Sequence, residues 1–286
     1  MGINFHIFKS NVYEVDLLNM KNKIILFTLL ISVIFSQGWN TTFIGQLDYP
    51  QFVNDVWGYK ADNGKEYALV GTSLGTAVVD VTTNPFGPQQ VGFITGDEST
   101  WRDIKFWNNH MYISTEAEMG IQVADITDPE NPELVYEWDG VSRAHNLFQA
   151  DGYLYVVGAD EGTDMEILDL TDPAVPVRVG GWSGEYLHDV YVRDNYAYGC
   201  GIYSSTMYII DISDKENPFT LTSWTYPGSA HACWLTEDGD FLISGDETSG
   251  GHIKIWDIRD LDNINMVSEW MPEGGENKSA HNVFVR

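Results

Sequence analysis

The chain has 286 residues, 43% hydrophobic and 13% aromatic, which is ample apolar material for one large globular core. Its 42 acidic residues face 15 basic ones, a formal charge of −27 that repels phosphate backbones and so excludes nucleic acid as a partner. The acid is spread along the chain without a tail, a pattern that suits solubility in a salty medium, with a surface for divalent cations or a basic partner as the alternative.

In chain order, the first readable segment is a secretory signal. Met20-Lys21-Asn22-Lys23 supplies a basic start, Ile24 to Phe35 an apolar run, and Ser36-Gln37-Gly38 a small-residue exit. The run is too short to cross a bilayer comfortably. Residues 1–36 are therefore assigned to an extension plus signal peptide, with translation starting at Met20, the mature chain opening near Gln37, and the protein exported outside the cell or to its surface. Thr41 to Asp48 resembles the outer strands of the repeats that follow, such as Gln90-Val91-Gly92-Phe93-Ile94, and is expected to complete the last repeat.

From about Asn54 a unit repeats. Its third strand ends in aspartate at Asp80, Asp125, Asp169, Asp211 and Asp257, positions 45, 44, 42 and 46 residues apart. The fourth unit shows the plan: Leu187 to Val192, the turn Arg193-Asp194-Asn195, Tyr196 to Gly201, Met207 to Ile212, then Phe219 to Trp224. Each run is short, rich in β-branched and aromatic residues, and bounded by Gly, Pro, Asn or Asp, which predicts four antiparallel strands per unit and no crossover helix. Four-stranded sheets repeated radially make a β-propeller, expected here with about six blades over residues 41–286. Five units are complete, and a sixth begins at Ala280-His281-Asn282-Val283-Phe284-Val285. The register predicts a truncated last blade and an open or poorly closed ring.

The recurring aspartates read as structural, their side chains satisfying turn amides in sequences such as Asp125-Ile126-Thr127-Asp128-Pro129. Trp138, Trp182, Trp224 and Trp270 recur on fourth strands and read as packing between blades. Cys200 and Cys233 lie in different repeats at core-type positions, so buried free thiols are expected.

The chemistry lies in another column. Aligned first strands place Asn54, Arg102, His145, His188, His231 and His281 at one position, followed by Asp55, Asp103, Asn146, Asp189, Ala232 and Asn282. First strands line the channel of a propeller, so this column becomes a ring. Because neighbouring strands are antiparallel, the loops from second to third strands surround it, carrying Glu116, Glu118, Asp160, Glu161, Asp164, Asp246 and Glu247. Three readings of the ring stand side by side. Its groups hydrogen-bond across the channel and fix blade angles. They hold zinc, manganese or iron, or another ligand, with outer carboxylates orienting the imidazoles. Or they form the acid and base of a metal-dependent hydrolase or lyase.

Other motifs carry less. Asn40-Thr41-Thr42 and Asn277-Lys278-Ser279 fit the glycosylation pattern. Gly71-Thr72-Ser73-Leu74-Gly75 fits the nucleophile-elbow pattern, but a strand follows Ser73 where that elbow requires a helix.

Val78-Val79-Asp80, Ile167-Leu168-Asp169 and Ile209-Ile210-Asp211 resemble the LVIVD repeat of secreted bacterial propellers. Asn54-Asp55-Val56-Trp57-Gly58-Tyr59, Ser99-Thr100-Trp101-Arg102-Asp103 and Ala144-His145-Asn146 are similar to the choice-of-anchor B family. The resemblance implies export, variable C-terminal anchoring as the sole route to a membrane, and no established activity. The combined expectation is a monomeric, secreted or cell-surface module that binds a protein, glycan or small molecule, with a divalent metal as the one cofactor suggested.

Overall fold

A computed structural model describes residues 2–6 and 42–285. The signal segment expected at residues 20–36 lies outside them. Among the described residues every regular element is a strand. A two-stranded sheet joins β1 (Gly2–His6) to β2 (Phe43–Asp48). Five four-stranded antiparallel sheets follow. Sheet one holds β3 (Val53–Lys60), β4 (Glu66–Thr72), β5 (Gly75–Asp80) and β6 (Gln89–Thr95), and sheet two holds β7 (Ile104–Trp107), β8 (His110–Ile113), β9 (Ile121–Asp125) and β10 (Glu133–Trp138). Sheet three is β11 (Asn146–Ala150), β12 (Tyr153–Val157), β13 (Met165–Asp169) and β14 (Val177–Trp182). Sheet four is β15 (Asp189–Arg193), β16 (Tyr196–Gly201), β17 (Thr206–Asp211) and β18 (Phe219–Thr225), and sheet five is β19 (Ala230–Leu235), β20 (Phe241–Asp246), β21 (Ile253–Asp257) and β22 (Asn265–Trp270).

Each sheet is a meander in chain order, and first strands touch in series: β3 on β7, β7 on β11, β11 on β15, β15 on β19. The arrangement is propeller-like, with first strands inside and fourth strands outside. Short turns make the meander possible. Asn108 and Asn109 both have positive φ in the two-residue connection from β7 to β8, as do Asp151 and Gly152 between β11 and β12, the backbone of a type I′ hairpin turn.

The second and third strands are apolar on both faces because a sheet lies on either side of them. Leu69, Val70, Val78 and Val79 of sheet one, Val156, Ile167 and Leu168 of sheet three, and Ile210 and Leu242 beyond are fully buried. Every strand-ending aspartate accepts the backbone N–H two residues on: Thr82 to Asp80 at 2.8 Å, Thr127 to Asp125 at 2.7 Å, Thr171 to Asp169 at 2.6 Å, Ser213 to Asp211 at 2.8 Å and Arg259 to Asp257 at 3.2 Å. That bond turns the chain out of the third strand. Just beyond the turn each fourth strand carries one extra residue against its partner, at Val91, Val135, Val179, Leu221 and Val267. Such bulges bend and twist a strand. Their aliphatic side chains recur with the repeat, a signal that alignment of the aspartates alone does not bring out.

Two expectations change. The segment before the first unit does not pair with the last repeat: β2 pairs antiparallel with β1, and Leu47 and Tyr49 pack against Ala68, Val70, Ala77 and Val79 of sheet one. Backbone partners for β2 thus come from the stretch that showed no pattern in the sequence. The sixth unit, Ala280 to Val285, forms no strand. It lies along sheet five, where Ala280 donates to the Asp246 carbonyl at 3.0 Å, and no second strand is present among the described residues to complete a ladder.

The fourth-strand tryptophans behave unequally. Trp138 and Trp182 are buried, Trp224 stacks on Trp256 at 5.6 Å, and Trp270 is 57% exposed. Trp182 Nε1 donates to Thr220 Oγ1 of sheet four at 3.0 Å and its ring meets Tyr208 at 5.3 Å, so it ties two sheets together. Cys200 in β16 of sheet four and Cys233 in β19 of sheet five are buried free thiols. Replacing Trp182 with Ala is expected to cost about 3–5 kcal/mol through lost contact and the cavity left behind. The shift in denaturant midpoint should exceed that of Trp270→Ala, whose exposed ring has far less to lose.

Candidate functional site

The ring column assembles at the end of the molecule where the first strands begin. Asn54, Trp101, Arg102, His145, His188, His231, Glu247, His281 and Asn282 line a cavity of about 70 Å³ there, together with Asp55, Asp103 and Asn146. Local backbone contacts place the imidazoles. The His188 amide donates to the Cys200 carbonyl at 2.8 Å, and the His145 amide lies 3.2 Å from the Val157 and Gly158 carbonyls. Gly158 has φ +66°, and a Cβ there would collide with that of His145, so this position suits glycine twice over.

The rings follow one another in a tilted row. Centroids are 4.1 Å apart for His145 and His188, 4.4 Å for His188 and His231, and 3.7 Å for His231 and His281. His145 Nδ1 meets Glu116 Oε1 at 2.7 Å, the carboxylate support expected of the surrounding loops. Burial first, then the neighbouring His145, pushes His188 down to about 3, and the same causes, with His188 the larger neighbour, take His231 lower still. Both are neutral imidazoles at physiological pH.

The acidic candidates divide. Glu247 reaches the mouth, with its Oε1 3.9 Å from His281 Nε2. Asp246 turns inward instead, paired with buried Lys254 and accepting the Ser229 and Thr248 amides, both at 3.0 Å. Asp160 is held by Ser142 at 2.7 Å and Arg143 at 2.9 Å, and Asp164 accepts the Gly184 amide at 2.8 Å. No hydrogen bond involves the side chains of Glu118 or Glu161 among the described residues.

The second column forms a deeper layer with a structural task. Asp55 of sheet one accepts the Ile104 amide of sheet two at 3.1 Å, and Asp103 of sheet two accepts the Leu147 amide of sheet three at 2.9 Å. Lys105 donates to both oxygens of Asp103, at 2.8 and 2.6 Å, and stands over the Trp57 ring at 4.7 Å. One ammonium faces three carboxylates, Asp55, Asp103 and Asp189, around a common pocket. Burial, reinforced by Asp103, raises Asp189 to about 7, and the same two causes raise Asp55 well above its ordinary value.

Sequence reasoning missed two features here. Lys105 lies three residues beyond the ring position, where the other sheets carry Trp57, Phe148, Tyr191 and Trp234, so a lysine in an aromatic column was the available signal. Those rings form the floor: Phe148 on Tyr191 at 5.2 Å, Tyr191 on Trp234 at 4.5 Å, Trp234 on Phe284 at 5.3 Å. The second omission is an aromatic rim. Phe52 meets Trp101 edge-on at 6.4 Å, Trp101 lies 6.0 Å from His145, and Tyr186 lies 5.0 Å from Tyr203, with Phe52, Trp101 and Tyr203 exposed by 45%, 38% and 79%.

Residues 143–182 and 184–225 each match the LVIVD repeat. Among curated proteins none matches the chain in sequence. Solved structures share the fold at low identity. A functionally unknown protein from Desulfotomaculum acetoxidans DSM 771 is similar at 11% identity and TM-score 0.60, over 79% of this chain and 72% of its own. The computationally designed Ika8 protein is similar at 14% and 0.58, over 84% and 80%. A putative 6-phosphogluconolactonase from Bacteroides uniformis ATCC 8492 is similar at 9% and 0.57, over 74% and 70%. The chain is thus an all-β, propeller-like protein carrying LVIVD repeats.

The deeper layer predicts a pH dependence. Asp55 and Asp189 have folded pKa values raised above their unfolded ones, so their contribution is fully present below the unfolded value of 3.8 and lost as pH rises through the folded values. Each contributes a slope of up to about 1.4 kcal/mol per pH unit between the unfolded value and its own folded value, and none above it, so Asp55, the higher of the two, carries most of the effect at alkaline pH. His188 and His231 oppose this only below their unfolded value of 6.5. In chelator, the melting temperature should therefore fall from pH 6.5 to 8.5. An Asp55→Asn/Asp189→Asn variant, which keeps the acceptor oxygens, should show a flatter profile.

Proposed function

We infer that the protein is an exported, monomeric binding or scaffold module that presents its histidine-lined mouth to a ligand. The observation that carries this reading is the mouth itself: side chains from six successive units converge on a cavity of about 70 Å³ bordered by exposed Trp101, against which exposed Phe52 packs, while exposed Tyr203 stands nearby on Tyr186. Pockets that enclose a small-molecule substrate hold roughly 300–1,000 Å³. This one is sized for an ion or for one group of a larger partner whose remainder rests on the rim. Exposed tryptophan and tyrosine offer large, stiff faces for an apolar or cationic surface. Acidic loops above them favour partners without negative charge.

Export is supported by the basic and apolar run from Met20 to Phe35 and by the likeness to LVIVD and choice-of-anchor B proteins. The ligand classes are a protein, a glycan or a small molecule. Labelled protein in chelator should be probed on glycan arrays and on arrays of cationic and neutral peptides. Retention of a ligand by the native chain, weakened about tenfold or more by Trp101→Ala and by Tyr203→Ala, is expected of a rim that supplies the anchors. Retention indifferent to both substitutions, or none on either array, would remove the mouth as the binding face.

A further inference from the structure

Four imidazoles crowd one side of the mouth, and two of them each leave a ring nitrogen unpaired. His188 is 9% exposed and His231 is 3% exposed, and the Nδ1 atom of each has no hydrogen bond. Buried polar atoms in folded proteins are almost always paired, so two neighbouring orphans call for an explanation. The His188 side chain also bonds to the His231 backbone, which ties two units together but leaves both Nδ1 atoms unaccounted for. Nor are they lost in an apolar core: both side chains border the cavity at the mouth.

One ligand atom from each of His188, His231 and Glu247 lies within 4.8 Å of the other two. We propose that these three residues bind a divalent first-row transition cation of the zinc class, with His281 within reach as a fourth ligand. The His281 ring lies 3.7 Å from that of His231, and its Nε2 is 3.9 Å from Glu247 Oε1. Imidazole nitrogens with a single carboxylate suit zinc, cobalt or nickel, whereas calcium and magnesium require a shell of oxygens. Glu247 is exposed and is the member free to close on an entering ion. His145, held by Glu116 at 2.7 Å, walls the site on its far side. The cavity has room for an ion with its remaining water.

The site goes beyond the binding role and does not rest on it, since the ion is tested with no other ligand present and the arrays are read in chelator. Chelator-treated full-length protein should be titrated calorimetrically with zinc chloride and, separately, with cobalt chloride while the cobalt visible spectrum is followed. One ion per chain is expected, with affinity weakened at least about tenfold by Glu247→Gln and by His231→Ala, and no displacement by excess calcium. Glu247→Gln changes an exposed side chain, so its effect is readable even where His231→Ala disturbs the fold. Affinity unchanged in Glu247→Gln, no binding at all, or several ions per chain displaced by calcium, as an acidic surface alone would give, would each overturn the proposal.

Discussion

The structure depends on carboxylates that reach from one sheet to the backbone of the next. Asp55 takes the Ile104 amide and Asp103 takes the Leu147 amide, each spanning the boundary between consecutive sheets at the inner edge. A first strand has its own sheet on one side only, so its other edge needs partners. The carboxylates supply them, and in doing so set how closely successive first strands approach. That approach decides whether the residue one position earlier, the ring position, meets its counterparts. Beyond sheet three the first strands keep the same close approach, β11 on β15 and β15 on β19, and the imidazoles of His145, His188 and His231 follow one another with centroids 4.1 and 4.4 Å apart.

Collecting carboxylates at the axis has an electrostatic consequence that the rest of the interior absorbs. Lys105 stands where other units place an aromatic ring, and it neutralises Asp103 directly. A second lysine, Lys254, does the same for Asp246 one layer out and lies 4.8 Å from the Tyr226 ring. The remaining acids, Asp55 and Asp189, are driven toward the protonated form. The interior is therefore tuned so that charge is paired or suppressed below the mouth, and the open acids, Glu116 and Glu247, stand at it.

Much of this was legible in the sequence, because a repeat converts spacing into geometry. The third-strand aspartates could be read as turn residues since Asp125 and Asp169 stand ahead of Thr-Asp-Pro runs, where an aspartate has one easy use, and all five accept the amide two residues on. The histidine column became a ring for the same reason: identical register puts equivalent residues at equal depth. What spacing cannot convey is which of two adjacent acids points outward. Asp246 ends β20 and Glu247 follows it in the loop, and only the buried Lys254 opposite decides that Asp246 turns in. The pairing of β2 was illegible for a similar reason. Its likeness to fourth strands identified it as a strand and pointed to the last repeat as its partner, whereas β1 comes from a segment with no repeat to compare.

The ring is not uniform, and its asymmetry has a physical sense. Units three to six contribute histidine, while units one and two contribute Asn54 and Arg102. Arg102 is almost wholly buried, its Nε donating to the Thr72 carbonyl at 2.9 Å and its Nη2 to the Asp97 carbonyl. Asn54 donates in turn to the Arg102 carbonyl at 3.0 Å, so these two positions are occupied with joining sheets one and two. A fixed guanidinium carries its charge at any physiological pH and repels another cation. The mouth is thereby divided into a positive side that serves the fold and a nitrogen-rich side, flanked by Glu116 and Glu247, where the Nδ1 atoms of His188 and His231 are left without hydrogen bonds.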